Sequence, residues 1–277
     1  ARIATLLTRR WARPPWGVAR RALRRARQAL RSKAGWLSPR GDGSVAPGVV
    51  PILVSLVALA LLFGALERLW PAVPAVRRWI PAGRTDVAYW FFTPLVTKAI
   101  SRVAIVLALV AMALAIGVPI DRPHLEALLE PRPSISRQPV WLQVGEFLLL
   151  TDFAGYLVHR AFHRGWLWRF HAVHHSSRSV DWLSTVRVHP VNDALMKVGQ
   201  TVPVILLGFD PKLLAGYIPF LLFYGVFVHA NVPWSFGPLR WVIATPYFHR
   251  WHHAAEEEGL QRNFAGLFPV FDLLFGT

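Results

Sequence analysis

The chain contains no cysteine. Disulfides, thiolate-bound metals, iron–sulfur clusters and thiolate-ligated haem are therefore excluded. Acidic residues are scarce, fifteen Asp and Glu against thirty-one Lys and Arg. The deficit is local: residues 1–40 hold twelve of the basic residues and no acid, and the rest carries nineteen basic and fifteen acidic side chains. No glycine-rich fingerprint follows a strand pattern, so a dinucleotide crevice is absent. There is no repeat at a solenoid period and no low-complexity linker. A short apolar core followed by a small-residue cleavage site, the mark of a secretory leader, is also missing from the N-terminal region.

What the chain has is apolar length. Of its 277 residues 54% are hydrophobic, and several uninterrupted runs approach the ~20 residues a helix needs to cross a bilayer. Gly48–Leu66 is free of charge, and Pro71, Pro74 and Pro81 then break the pattern. Val87–Ile120 is apolar apart from Lys98 and Arg102, and Val103–Ile120 is long enough to span by itself. Asp121–Gln138 reads as a polar loop. Val140–Val158 is interrupted only by Glu146 and Asp152. Ala194–Phe209 and Leu213–Val228 flank Asp210-Pro211-Lys212, a tight-turn signal. That pair predicts a helical hairpin which enters the bilayer and returns to the same side. The fold expected is all-α, an integral membrane helical bundle in residues 47–277 with a helical cap on its cytoplasmic side. Residues 1–46 form a basic extension. Within it Val18–Ala34 fits an amphipathic helix, with Arg20, Arg21, Arg24, Arg25, Arg27 and Arg31 toward anionic lipid headgroups; a disordered basic tail is the simpler alternative. A nucleic-acid partner would need base-reading or stacking groups on a soluble fold, and none is present.

Ten of the eleven histidines follow Val158, in the polar segments between and after the later apolar runs. His159 and His163 form H-x3-H. His171, His174 and His175 form H-x2-HH, and His249, His252 and His253 repeat it. On a helix, positions i, i+3 and i+4 share a face with Cβ atoms about 5–6 Å apart, so each cluster can aim its imidazoles at one point. Eight imidazoles exceed what one ion can hold and imply two. Imidazole suits iron, zinc, copper and nickel. No glutamate lies within a cluster, as a zinc protease helix would require, and the carboxylate-rich set of soluble di-iron bundles is absent. The returning hairpin brings His229 and then His249–His253 back beside the first two clusters. Asp152 lies seven residues before His159, on the same helix face, and is placed to orient a ligand histidine; a packing hydrogen bond is the simpler role. Glu256–Glu258 read as a solvated acidic face. Trp166, Trp168, Trp182 and Trp251 lie near the histidines, and interfacial tryptophan is otherwise expected.

These motifs and their surroundings resemble the fatty acid hydroxylase / sterol desaturase superfamily. D-F-A-G-Y-L-V-H-R-A-F-H runs from Asp152 to His163, and W-R-F-H-A-V-H-H-S from Trp168 to Ser176. Arg187-Val188-His189-Pro190 is similar to the R-x-H-P element and His229-Ala230-Asn231 to the H-A-N element. P-Y-F-H-R-W-H-H, Asn263-Phe264 and the closing F-D-L-L-F-G-T complete the likeness, which covers about 140–277. The resemblance implies that His159, His163, His171, His174, His175, His229, His249, His252 and His253 bind metal, and that His189 is a ligand or sits behind one. It implies two iron ions, with zinc as a substitute on purification, and O2 as co-substrate. The implied activity is hydroxylation or desaturation of a sterol, fatty acyl, isoprenoid or other alkyl lipid. Electrons would come from a separate donor, cytochrome b5-like or a ferredoxin with its reductase, and the location would be a bacterial inner membrane. Some fatty-acid hydroxylases carry a further histidine four residues after the one matched by His229; here Pro233 stands there, which points away from the acyl 2-hydroxylase branch. Asn192-Asp193 after R-x-H-P is also unusual. A membrane zinc hydrolase and a metal-binding transporter are the competing classes.

Overall fold

The computed structural model describes residues 48–74, 80–177, 179–254, 259 and 261–277. The basic extension, with its amphipathic helix, and the Glu256–Glu258 face lie outside the described residues. Pro47–Thr277 form one compact unit.

Helix α1 is Val49–Leu69. Its apolar side chains are mostly exposed, Val50 and Leu61 by 69% and 71%. An exposed apolar surface of that extent belongs against lipid. The buried face is narrow, and near its C-terminal end Glu67 Oε1 accepts from the backbone N–H groups of Trp182 and Asn231, both at 2.9 Å. Helix α2, Ile80–Phe92, continues through a π turn at Thr93–Thr97 into α3, Lys98–Ala115. Pro94 accounts for the widened turn, because its ring removes one N–H and crowds the carbonyl four residues back. The turn is used: Thr93 Oγ1 donates to the Val186 carbonyl at 2.8 Å. Short helices α4, Arg122–Leu128, and α5, Pro133–Ser136, follow, and Asp121 caps α4 by accepting from the His124 N–H. Helix α6 is Val140–Phe162. A 3-10 turn at Gly165–Leu167 leads to α7, Trp168–His175, and a second at Trp182–Val186 to α8, Pro190–Leu207. Gly208, at φ +81°, ends α8, and Asp210 caps α9, Pro211–His229, with Pro211 at its first turn. This is the hairpin that Asp210-Pro211-Lys212 predicts. A 3-10 turn at Gly237–Trp241, α10 at Pro246–His252 and α11 at Val270–Phe275 complete the order. Every regular element among the described residues is helical.

Helix α8 packs against α3 and α6. The α6–α8 approach is close because Gly199 has no side chain: a Cβ there would sit 2.6 Å from Val158 Cγ2. One end of the bundle holds Phe147, Val204, Phe209 and Tyr217. The other holds Phe63, Trp90, Trp182, Val226 and Val232. The C-terminal ends of α1, α6 and α9 and the N-terminal ends of α2 and α8 meet at the second end, where the histidines are.

Three stretches are long and apolar enough to cross a membrane: Val49–Leu69, Gly83–Ala115 and Pro211–His229. The chain is therefore an integral membrane protein. Two differences from the sequence reading stand out. The second span is one continuous run of 33 residues, because Lys98 and Arg102 are accommodated within it rather than ending it. And α6, read in the sequence as an apolar run interrupted only by Glu146 and Asp152, is not among the three stretches.

Candidate metal centre

The histidines are delivered by four helices. His159 and His163 close α6, the latter as its C-cap. Helix α7 carries His171, His174 and His175. His229 is the last residue of α9, and α10 carries His249 and His252 with His253 as its C-cap. Nine imidazoles converge as two groups. His159, His163, His171, His175 and His252 form the first, and His174, His229, His249 and His253 the second, with ligand atoms in each group within 4.8 Å of one another. The i, i+4 pair of α7, His171 and His175, serves the first group while His174 serves the second. Helix α10 does the reverse: His249 and His253 serve the second group and His252 the first. The two helices thus interleave the groups, and the rings of His175 and His253 stack across the boundary at 4.3 Å.

The hydrogen bonds fix which nitrogen faces inward. His159 Nδ1 lies 2.7 Å from the Phe264 carbonyl, and His171 Nδ1 lies 2.8 Å from Asn192 Oδ1. His252 Nδ1 is 2.8 Å from the Arg262 carbonyl, His229 Nδ1 2.7 Å from Gly225 and His174 Nδ1 3.3 Å from Arg187. Each oxygen can only accept, so each Nδ1 carries the proton and each Nε2 keeps its lone pair. Yet the Nε2 atoms of His159 and His171 stand 3.0 Å apart, and those of His174 and His229 3.2 Å apart. Two lone pairs at that distance repel unless a cation lies between them. Nε2 of His163 and of His252 is moreover buried without a hydrogen-bond partner, a cost of about 1–3 kcal/mol each if left unmet. The donor set therefore fits one metal ion in each group. Burial keeps the cap imidazoles neutral and ready to bind: His174 is pushed down to about 4, and His171, His175, His249, His252 and His253 lie far below the usual imidazole range.

Behind the ligands stands a scaffold of carboxylates. Asp152 bonds to no histidine. Its carboxylate accepts from Gly266, Leu267 and Phe268 N–H at 3.2, 2.9 and 2.7 Å. Asp272 accepts from Phe264 and Ala265 N–H, both at 2.8 Å. Five consecutive backbone N–H groups are thus held by two carboxylates, and this loop presents the Phe264 carbonyl to His159. Arg187 Nε pairs with Asp86 at 2.6 Å, tying α2 to the segment whose carbonyl faces His174. Breaking a buried pair of this kind costs about 3–5 kcal/mol.

His189 lies outside both groups. It caps α8, its Nδ1 accepting from the Val191 N–H at 3.1 Å, and its ring packs on Phe170 at 4.9 Å. Trp168 packs on His163 and His175 at 5.1 and 5.3 Å, and Trp182 sits in the core of the same end. Sequence reasoning noted Asn192 only as unusual. Glu67 and Asp86 carried no local signal beyond being acids beside apolar runs, and Asp272 was noted only within the closing F-D-L-L-F-G-T motif.

A polytopic helical bundle capped by two interleaved imidazole groups defines a histidine-rich membrane metalloprotein. Residues 144–277 match the model of the fatty acid hydroxylase family, and this half of the chain belongs to that family. The ornithine lipid hydroxylase OlsE of Rhizobium tropici is 35% identical over 142 residues, half of this chain and 42% of that protein. Alkylglycerol monooxygenase of Homo sapiens is 32% identical, over half of this chain and 30% of its own length. A very-long-chain aldehyde decarbonylase of Oryza sativa is 30% identical, over 52% of this chain and 26% of its own. The chain thus spans less than half the length of these relatives. No solved structure matches it.

Proposed function

We propose that the protein is a membrane-bound oxygenase that uses O2 to hydroxylate or desaturate a lipid, with two iron ions held by its two histidine groups. The observation that carries this reading is the inward-facing array of nine neutral imidazoles in two interleaved groups. It is supported by relatives named for hydroxylation and monooxygenation of lipids. We assign one ion to His159, His163, His171, His175 and His252, and the other to His174, His229, His249 and His253; His189 shapes the start of α8. Iron bound there supplies the redox chemistry that couples O2 reduction to attack on an unactivated C–H bond. For hydroxylation the balance is RH + O2 + 2 electrons + 2 protons giving ROH + H2O, with both electrons from an external donor such as a cytochrome b5-like protein or a ferredoxin.

The chain's own residues prepare this centre. The carbonyls of Phe264, Arg262, Gly225 and Arg187, with Asn192, lock the rings so that no reorientation accompanies metal binding. The nest formed by Asp152 and Asp272 makes the Phe264 carbonyl rigid. Trp168 and Phe264, packed on the rings of the first group, exclude water from one side. The exposed apolar faces of the bundle keep a lipid substrate within reach of the centre without its leaving the bilayer.

The test is iron-loaded protein in nanodiscs with reductant and a total lipid extract. O2 uptake together with a lipid product heavier by one oxygen, or lighter by two hydrogens, supports the reading; lipid cleavage without O2 uptake points to a hydrolase. We further propose that the centre faces the cytoplasm, within a bacterial inner membrane. A cysteine-free chain makes the labelling clean: Arg169→Cys, beside the centre, should react from the cytoplasmic side and Glu130→Cys from the other. The reverse pattern would invert the orientation.

A further inference from the structure

Where α6 ends, a second feature opens to the surface. A cavity of about 620 Å³ is lined by Leu157, Arg160, Ala161, Arg164 and Trp166, among others. Leu157, Arg160 and Ala161, at i, i+3 and i+4, form one stripe along the last turns of α6, and Arg164, in extended backbone just past the His163 cap, continues the wall. The stripe points away from His159 and His163, which occupy the neighbouring face of the same turns. Gly165, at φ +54°, then folds the chain back, and this turn sets Trp166 at the cavity wall.

The chemistry of the wall is mixed in a particular way. Leu157 and Trp166 are 45% and 62% exposed, an apolar rim at the end of a membrane bundle, where tryptophan collects at the headgroup level. Both arginines belong to the wall of the same cavity. Arg160 is partly engaged: Nη1 donates to Tyr156 Oη at 3.1 Å, and its guanidinium carbon lies 5.9 Å from the Phe275 ring centroid. Arg164 is exposed and, among the described residues, its guanidinium has no hydrogen-bond or ion-pair partner. Its fork of donors matches the oxygens of a phosphate. Nothing in the metal centre uses either arginine.

We propose that this cavity binds the phosphate of an anionic membrane phospholipid, with Arg160 and Arg164 on the headgroup and Leu157 and Trp166 against the first carbons of the chains. A lipid source is favoured over free phosphate because the charged pair is framed by exposed apolar side chains. Since His163 immediately precedes Arg164, an occupant here sits beside the first histidine group.

The experiment is native mass spectrometry of the full chain released from phosphatidylcholine nanodiscs and titrated with phosphatidylglycerol. Binding is read without turnover, so the outcome is independent of the oxygenase reading. Wild type should retain phosphatidylglycerol in preference to phosphatidylcholine. Arg164→Gln should weaken that retention about tenfold or more, as loss of a charge-assisted hydrogen bond implies. Arg164→Lys should recover part of it, and Arg137→Gln, at the remote end, should leave it unchanged. Equal retention of both lipids by wild type, an unaltered affinity in Arg164→Gln, or full displacement by equimolar inorganic phosphate would each overturn the proposal. Arg164 is exposed, so its variants keep the fold, which an unchanged melting temperature verifies.

Discussion

Replacing Asp152 with asparagine tests the link between the carboxylate scaffold and the first histidine group. Oδ1 of Asp152 accepts from Gly266 and Leu267 and Oδ2 from Phe268. Asparagine keeps one oxygen and puts an NH2 group where the other stood. Whichever way the amide turns, a donor faces at least one backbone N–H. The variant therefore loses one charge-assisted bond, about 1.5–3 kcal/mol, and leaves one buried donor unmet, about 1–3 kcal/mol. With relaxation, a net loss of about 3 kcal/mol is expected, or a melting temperature lower by about 6–12 °C for a domain of this size. The more specific consequence concerns metal. The loop that loosens carries the Phe264 carbonyl on His159, whereas the partners of His174 and His229 lie elsewhere, on Arg187 and Gly225. Loss of an orienting partner costs about 10–100-fold in metal affinity, and here only in the first group. Chelator titration of purified Asp152→Asn should release one ion per chain early and the second as in wild type. Glu146→Gln is the control: among the described residues its carboxylate meets only Gln138, at 3.4 Å. A variant that melts with wild type and holds both ions equally well would refute the role given to Asp152.

His252→Ala and His174→Ala should each abolish turnover, but metal analysis should show the loss in different groups, the first for His252 and the second for His174. His189→Ala removes a helix cap and should cost about 1 kcal/mol of stability while both ions are retained; a fall in metal content would make His189 a ligand after all. The metal-free protein should lose stability as pH falls below about 6.5, because its buried cap histidines stay neutral while the unfolded chain takes up protons. With His174 near 4 when folded, that residue alone accounts for about 1 kcal/mol at pH 5.5, and melting temperatures at pH 7.5 and 5.5 measure the sum; equal values would contradict a neutral cluster.

Much of the centre could be read from local spacing. H-x3-H and the two H-x2-HH motifs place their rings by helical geometry alone, and Asp210-Pro211-Lys212 announced the hairpin that returns His229 to the site. The partners behind the rings could not be read this way, because they are defined by folding. Asp152 was singled out for its spacing from His159, yet its bonds go to a loop 114–116 residues away. The Phe264, Arg262 and Gly225 partners are backbone carbonyls, which any residue type supplies. Asp86 and Glu67 became meaningful only once α2 met Arg187 and α1 met Trp182 and Asn231. The 33-residue second span was masked by Lys98 and Arg102, whose charges divided the run in sequence although the helix continues through them.

The central claim is that each histidine group holds one metal ion. Anomalous diffraction from crystals of the iron-loaded protein, recorded on both sides of the iron edge, tests it directly. Two peaks per chain are predicted, one enclosed by His159, His163, His171, His175 and His252 and the other by His174, His229, His249 and His253. A single peak, or peaks lying outside these two groups, would contradict the account.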